Sequence, residues 1–298
     1  MYDRFFLSTI LREIVGLLAD ARLTLVAGAL ALHLAGLIIT GERWRVVIAA
    51  MGSRVTLARA TLINLAGIFV RNATPTTGLG GDASRIALLR AEGVPLAQAT
   101  ASFAYVRLSE IAPLAVLVGL SFPAALRAIA RSSALMAGAC AAIVVGLAVV
   151  WTSRGSLRGR VVDLWQRTEY IRITRPAMLA AVFYATLAQI ETVARLIVVA
   201  AAFGMTLTVQ QAATVTVMSI VGGFVPTIGS IGAIDGSLVA GLMLFGADAE
   251  KAVAITLVGR AISYGVSTAA GALALAFLGG RGILRIFTEH KTNTAAAG

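Results

Sequence analysis

The stretch TPTTGLGGDASRIALLR, residues 74–90, interrupts apolar sequence with a proline, three glycines and three charged side chains. It follows an apolar segment at residues 60–70, whose 11 residues are too few to cross a bilayer, because a crossing helix needs about 20. Backbone that such a break frees is tolerated at membrane depth only inside protein or beside a water-filled cavity. The stretch therefore predicts a re-entrant hairpin, a pair of short helices that enters the membrane and returns to the same side.

The composition indicates a membrane protein throughout. Of the 298 residues, 58% are hydrophobic and 13% are charged, and the mean hydropathy is +0.89. Apolar segments leave no polar block large enough for a separate soluble domain. The net charge is +11, but the arginines gather at the ends of apolar segments, which is typical of contact with anionic lipid and not with nucleic acid. We predict an all-α polytopic membrane protein with a single transmembrane domain, residues 1–298.

Intervals between charged residues predict five crossings, at residues 23–41, 98–123, 132–153, 176–203 and 252–280. A second broken segment, residues 211–245, is split by VPTIGSIGAIDG at residues 225–236 and predicts a second re-entrant hairpin. Residues 1–20 predict an amphipathic helix at the membrane interface, and residues 281–298 a cytoplasmic tail.

Basic loops predict the orientation, because cytoplasmic loops carry an excess of Lys and Arg. Three segments are rich in basic residues and are therefore predicted to be cytoplasmic: a first long loop after the first crossing, the central loop and the C-terminus. The basic residues are Arg43, Arg45, Arg54 and Arg59 in the first loop, Arg154, Arg158, Arg160, Arg167, Arg172 and Arg175 in the central loop, and Arg281, Arg285 and Lys291 at the C-terminus. We expect a multi-pass protein of the bacterial inner membrane with its C-terminus in the cytoplasm.

The two broken segments share an ordered set of residues, Pro75, Asp82, Gly93 and Arg107 in the first and Pro226, Asp235, Gly246 and Arg260 in the second. Asp and Gly are 11 residues apart in both, and Gly and Arg are 14 apart in both, whereas the Pro to Asp distance is 7 against 9. Chance spacing in a chain with 30 glycines is the alternative. Agreement of four residue types in order favours an internal repeat, with repeat one at about residues 57–122 and repeat two at about 209–280.

The repeats are expected to be inverted, because two predicted crossings lie between the helix with Arg107 and the helix with Arg260, so these two helices cross the membrane in opposite directions. Inverted repeats with broken helices are typical of secondary transporters, in which helix N-termini direct their positive dipoles at an anionic substrate. We therefore expect loop glycines to present backbone N–H groups to a ligand. These glycines are Gly80, Gly81, Gly229 and Gly232.

Charged side chains inside predicted spans are the candidate substrate-binding residues, since charge in a membrane is costly and usually functional. Arg107 would bind a phosphate with its planar fork, or would be neutralised by Glu110 three residues later. Arg260 has no acidic neighbour within a helical turn and is the stronger candidate. Arg71 would contact lipid phosphate or only extend to the interface.

Asp82 and Asp235 each stand just past glycines at the predicted start of a helix. The alternatives are an N-cap and a partnership with an arginine of the facing repeat, with a proton or with a cationic headgroup. Arg85 lies one turn after Asp82 and either joins this site or faces the cytoplasmic interface.

Residues for catalysis are scarce in this sequence. Its histidines are His33, expected to serve in packing, and His290, and its single cysteine is Cys140, so we expect no metal site and no His-assisted nucleophile. The glycine-rich strings lack the Lys-Ser/Thr of a phosphate-binding loop, and we expect no cofactor. GLGGDAS is similar to the glycine–aspartate loop of intramembrane aspartyl proteases, but a second aspartate in a matching context is missing. Glu191 and Arg195 are expected to form a structural i, i+4 pair.

Several motifs together carry a family resemblance. They are the Arg43–Trp44 pair, the P-x-x-G-x-G-G-D-x-x-R string at residues 75–85, Arg107, IGSIGAIDGS at residues 228–237 and Arg260. In these the chain resembles the transmembrane flippase-like domain of the lysylphosphatidylglycerol synthase family, the membrane half of the multiple peptide resistance proteins and their stand-alone relatives. The chain has Asp235 where that family usually has glutamate, and Ile234 where it often has arginine, which leaves the headgroup preference open.

The resemblance implies a lipid flippase or transporter that moves a phospholipid or lipid-linked substrate between leaflets, and not an enzyme, since no acetyltransferase-like synthase domain follows in this sequence. The alternatives are an intramembrane enzyme acting on lipid or peptide substrates and a non-transporting partner of a separate lipid synthase. We expect a membrane lipid as substrate, a lipid-modifying synthase as a candidate partner and no nucleic acid; the oligomeric state stays open.

Overall fold

The computed structural model describes residues 16–74, 79–129, 173–223 and 232–279, which are helical and contain no strand. The helices are α1 (Leu23–Ala50), α2 (Leu57–Ala73), α3 (Leu79–Ala91), α4 (Leu96–Ser109), α5 (Ile111–Ile129), α6 (Arg175–Ala202), α7 (Val209–Gly222), α8 (Ala233–Leu244) and α9 (Ala249–Arg260). After α9 the chain forms a π-helical turn, Ala261–Val266, and a final helix α10 at residues 267–279.

Within these ranges, four helical segments are long and apolar enough to cross a membrane. They are Leu23–Ala50, Leu96–Arg127, Arg175–Ala202 and Ala249–Gly279. The predicted all-α polytopic membrane fold is confirmed, and these segments match four of the five predicted crossings. The predicted crossing at residues 132–153, most of the predicted interfacial helix and the predicted tail lie outside the described residues.

The first crossing is longer than predicted, because α1 continues past Gly41 to Ala50. No proline interrupts this region, and the helix ends only where Gly52 adopts a φ of +90°, a conformation that glycine favours at helix ends. The predicted first long loop is therefore wrong. Arg43 and Arg45 lie within α1, and only six residues, 51–56, connect α1 to α2.

Two pairs of short helices, α2 with α3 and α7 with α8, form where the sequence predicts hairpins. The four helices have 17, 13, 14 and 12 residues, and at about 1.5 Å per residue each is shorter than the roughly 30 Å hydrocarbon core. Helix α2 extends beyond the predicted residues 60–70 at both ends. The depth to which either pair enters a membrane stays a prediction.

Glycines let both pairs close. A Cβ atom at Gly81 would lie 2.5 Å from the carbonyl oxygen of Gly67, and one at Gly222 would lie 2.7 Å from that of Ala233. Any larger residue at these positions would force the helices apart.

Each half of the molecule has a helix irregularity directly after the arginine of its repeat. The predicted crossing at residues 98–123 breaks at Glu110, because Pro113 lacks an N–H and its ring clashes with the carbonyl four residues earlier. In the second half the π-helical turn begins immediately after Arg260. Single turns of π-helix are rare and occur often at functional sites.

The two halves, α2–α5 and α7–α10, exchange contacts. Asn72 on α2 donates from Nδ2 to Thr268 Oγ1 on α10 at 2.8 Å, and α7 packs against α5, where Thr214 Oγ1 donates to the carbonyl oxygen of Ser121 at 3.1 Å. The first helix of each half thus packs on the last helix of the other half. Reciprocal contacts of this kind are those that a twofold relation between two units produces.

Candidate functional site

Asp82 is the centre of a charged cluster in the first half. It lies in the first turn of α3, where the positive end of the helix dipole favours a carboxylate. Arg85 Nη1, one turn further along α3, donates to Asp82 Oδ1 at 2.6 Å. Arg107 Nη2 on α4 donates to Asp82 Oδ2 at 3.1 Å. Because Arg85 is buried against Gly67, the alternative that it faces the cytoplasmic interface is wrong.

Glu110 extends this cluster to α1. Arg107 Nη1 donates to Glu110 Oε2 at 3.1 Å, as the i, i+3 spacing predicted, and Arg43 Nη2 donates to Glu110 Oε1 at 2.8 Å. The side chain of Arg107 keeps 47% of its surface exposed and lies over the ring of Phe103. It is therefore held in place from two sides and is still open to a ligand.

Arg43 is a member of the site that the sequence reasoning missed. It is buried, and the neighbouring Trp44 is only 5% exposed. The sequence feature that could have identified Arg43 as a site residue is its position in the Arg43–Trp44 motif, which is part of the family resemblance.

Arg71, near the end of α2, is the least constrained cation of this region. Protein surrounds it on most sides, yet its side chain stays exposed, as expected for a residue in a cleft. The charges of Asp82, Arg107, Glu110 and Arg260 act on it. It makes no side-chain hydrogen bond or ion pair with any residue that the structure describes. Arg71 is therefore within electrostatic range of charged groups in both halves.

We call the first-half group the arginine cluster; it comprises Arg43, Arg71, Arg85, Arg107, Asp82 and Glu110. Four guanidinium groups face two carboxylates, which leaves two positive charges in excess. Such an excess in a membrane protein favours an anionic ligand.

The second half repeats the central ion pair. Asp235 lies in the first turn of α8, and Arg260 forms an ion pair with it, with Nε 2.8 Å from Asp235 Oδ1. The backbone N–H of Gly232 donates to Asp235 Oδ2 at 2.8 Å; Gly232 is the N-cap and Asp235 is the N3 residue, so the predicted alternative that Asp235 is itself the N-cap is wrong. Arg260 also lies over the ring of Tyr264, 4.7 Å from its centroid.

The expectation that Arg260 is unpaired is wrong, and so is the pairing of either aspartate with an arginine of the facing repeat. Each aspartate binds the arginine of its own half, 25 residues later in the sequence. The reason is the turn between the two helices. Gly93 and Gly246 have φ values of +88° and +95°, and these turns fold the arginine helix back against the aspartate helix.

Two of the four glycines that were predicted to face a ligand have structural roles instead. Gly81 is buried and serves the close approach of α3 to α2, and the N–H of Gly232 is already used by Asp235. Gly80 lies in the first turn of α3, and a ligand contact there stays a prediction. Gly229 lies outside the described residues.

His33 is not the isolated packing residue that the sequence predicted. Its Nε2 is hydrogen-bonded to Ser267 Oγ at 2.7 Å, and its Nδ1 lies 3.9 Å from Glu191 Oε1. Arg195 Nε donates to the same Glu191 oxygen at 2.7 Å, which confirms the predicted i, i+4 pair. No sequence signal links His33 to Ser267, because the two are 234 residues apart.

Two cavities lie beside these charges. A cavity of about 130 Å³, the polar chamber, lies between α6, α7, α8 and α9. Its polar lining is Arg195, Arg260 and five hydroxyl side chains, Thr192, Thr216, Ser219, Thr256 and Ser263, and the rest is six apolar side chains and Gly259. Thr256 Oγ1 is buried there without a hydrogen-bond partner in the described part of the chain. An apolar cavity of about 370 Å³ lies between α5, α6 and α7.

Comparison with known proteins identifies the family. The family model described as "Lysylphosphatidylglycerol synthase TM region" matches residues 5–271, a range that contains the arginine cluster, His33, Glu191, Arg195, Asp235 and Arg260. No curated protein and no solved structure matches the chain. The chain belongs to the lysylphosphatidylglycerol synthase TM region family.

Proposed function

We propose that this protein moves an anionic amphiphile, a phospholipid or a lipid-linked molecule, between the leaflets of the bacterial inner membrane. The observation that carries the proposal is the arginine cluster, with its excess of two positive charges and two accessible guanidinium groups, Arg71 and Arg107. The headgroup phosphate binds between these two arginines, and Arg260 contributes from the second half.

Ion pairs prepare the cluster for this role. Asp82 and Glu110 each bind Arg107, so its planar fork is oriented before a ligand arrives, and less side-chain entropy is lost on binding. Arg71 has no such partner among the described residues. An unpaired arginine in a membrane costs about 3 kcal/mol or more, and a bound phosphate offsets that cost by charge-assisted hydrogen bonds.

The architecture supports transport between the two sides. The halves have matching helix orders, matching Asp–Arg pairs and reciprocal packing. In our proposal they are inverted repeats whose short helix pairs are re-entrant, and movement of one half against the other exposes the arginine cluster to each side in turn. The acyl chains stay in lipid or in the apolar cavity between α5 and α6. The C-terminus lies in the cytoplasm, and the protein acts without changing its substrate chemically.

Reconstitution into liposomes that contain fluorescent or aminoacylated phospholipids tests this function. We expect the wild type to move these lipids between leaflets with no new chemical product, and we expect Arg71→Ala and Arg107→Ala to reduce the rate at least tenfold. Arg59→Ala, on α2 but paired with Glu92, serves as the matched control and should retain the wild-type rate.

The other outcomes identify the alternatives. A modified lipid or a cleaved peptide in the same vesicles would support an intramembrane enzyme. No movement and no product from monodisperse wild-type protein would contradict the proposal and would support a non-transporting partner of a lipid synthase.

A further inference from the structure

We propose that His33 and Glu191 form a proton-binding site that takes up one proton when an anionic headgroup enters the polar chamber between Arg195 and Arg260. This inference rests on the proposed function: the chamber is a second position for the headgroup bound by Arg71 and Arg107, and Arg260 contributes to both positions. Three helices that are distant in sequence, α1, α6 and α10, meet to build the site.

The site is buried and well defined. The side chains of His33 and Glu191 are each only 10% exposed. Ser267 Oγ is hydrogen-bonded to His33 Nε2, and Glu191 Oε1 lies on the Nδ1 side of the same ring. Both ring nitrogens of a protonated imidazole are donors, and here each nitrogen faces an oxygen that accepts. Gly36 leaves room for this arrangement, since a Cβ atom there would lie 2.9 Å from the Glu191 carboxylate.

Arg195 connects this pair to the chamber. Its Nε binds Glu191, and its side chain lines the chamber together with Arg260 and Thr256. The two terminal nitrogens of Arg195 make no hydrogen bond with the described residues, and Thr256 Oγ1 is also buried without a partner in that part of the chain. Unused donors around one small cavity favour an anionic group inside it.

The balance of charges around the chamber couples anion binding to proton binding. With neutral histidine, the charges of Glu191 and Arg195 cancel, and those of Asp235 and Arg260 cancel as well. An anion in the chamber therefore adds one negative charge to these two balanced pairs and competes with Glu191 for Arg195. A proton from water that binds to His33, next to the released Glu191 carboxylate, restores neutrality. Anion and proton binding are then mutually favourable, and the effect is reciprocal.

Among the described residues on the elements that pack against α1, no further group with a pKa near neutral lies beside His33. Of the charged side chains on elements that pack against α1, Glu191 and Arg195 are those that act on His33. The remaining ionisable residues on α2, α4, α6 and the π-helical turn are Arg59, Arg71, Tyr105, Arg107, Arg175, Tyr184 and Tyr264. On α1 itself the nearest is Glu42, nine residues from His33. Arginine and tyrosine side chains titrate far above neutral pH.

Calorimetry on the full chain in detergent measures the linked proton directly. Dihexanoylphosphatidylglycerol is titrated into the protein in two buffers of different ionisation enthalpy, between about pH 5 and 7. Its phosphodiester stays ionised in this range and takes up no proton itself. We expect the wild type to take up close to one proton per lipid bound, and its affinity to rise as the pH falls, by up to about tenfold per pH unit.

Substitutions of His33 and Glu191 test whether these two residues bind the proton. His33→Gln and Glu191→Gln should bind the lipid with proton uptake near zero. Thr40→Val, on α1 with only a bond to the Gly36 carbonyl, should keep the wild-type uptake. Uptake that persists in both His33→Gln and Glu191→Gln would overturn the inference.

The wild type alone is also decisive if these variants do not fold. Lipid binding with no proton uptake overturns the inference and leaves the proposed function standing. Failure of the wild type to bind the lipid at any pH in the range overturns both.

Discussion

At the scale of single residues, Asp82 is the group on which the site depends most. It accepts hydrogen bonds from the buried Arg85 and the half-exposed Arg107, and its position at the start of α3 adds the helix dipole. Removing one partner from a buried ion pair leaves an uncompensated charge, which is why such pairs are sensitive to mutation.

We expect Asp82→Ala to destabilise the protein by about 3–5 kcal/mol, measured by unfolding in detergent. Adding Arg85→Met to this variant should recover part of the loss, because the unpaired guanidinium is then absent. Glu92→Ala, which breaks the more exposed Arg59–Glu92 pair, should cost less than about 1 kcal/mol. Equal losses for Asp82→Ala and Glu92→Ala would contradict the central place of Asp82.

At the scale of elements, glycines determine how closely the helices of each short pair approach. Gly222 has no room for a methyl group beside Ala233 and Ser237, whereas a Cβ atom at Gly236, on the partner helix α8, would have nothing within 4 Å. An alanine at Gly222 therefore tests helix packing, whereas an alanine at Gly236 tests helix propensity alone.

Gly222→Ala should cost about 1–3 kcal/mol through overpacking. Gly236→Ala should instead stabilise α8 by up to about 1 kcal/mol, since alanine is the better helix former. Thermal unfolding of the two variants in the same detergent measures the difference. A Gly222→Ala variant as stable as Gly236→Ala would mean that α7 and α8 do not pack this closely.

The sequence predicted the positions of the helices better than the contacts between their side chains. Apolar lengths predicted the four long segments, and the Asp-Gly-Arg spacing located both Asp–Arg helix pairs. The partners were wrong, because the turns at Gly93 and Gly246 bring residues 25 apart into contact, and helical periodicity reveals only neighbours three or four residues away. The bond between His33 and Ser267 was not predictable for the same reason, since only the packing of α1 against α10 creates it.

At the scale of the whole molecule, the reciprocal contacts of α2 with α10 and of α7 with α5 fit a twofold relation between the halves, and their inversion across the membrane stays a prediction. If both short helix pairs are re-entrant, the ends of each pair lie on one side of the membrane, and the two pairs open to opposite sides. Cysteine accessibility tests this arrangement, after Cys140→Ser removes the single native cysteine.

We expect Arg54→Cys and Glu92→Cys, at the exposed ends of the first pair, to react with a membrane-impermeant thiol reagent only from the cytoplasm. Thr206→Cys and Asp248→Cys, at the exposed ends of the second pair, should react only from outside. Labelling of Arg54→Cys and Glu92→Cys from opposite sides would show that α2 and α3 do not form a re-entrant pair.

The central claim is that the arginine cluster holds an anionic headgroup, and native mass spectrometry of copurified lipid tests it most directly. Wild-type protein and the control Arg59→Ala should retain anionic lipid, whereas Arg71→Ala and Arg107→Ala should lose most of it while remaining monodisperse. Equal retention of anionic lipid by the wild type and by both cluster variants would contradict the account.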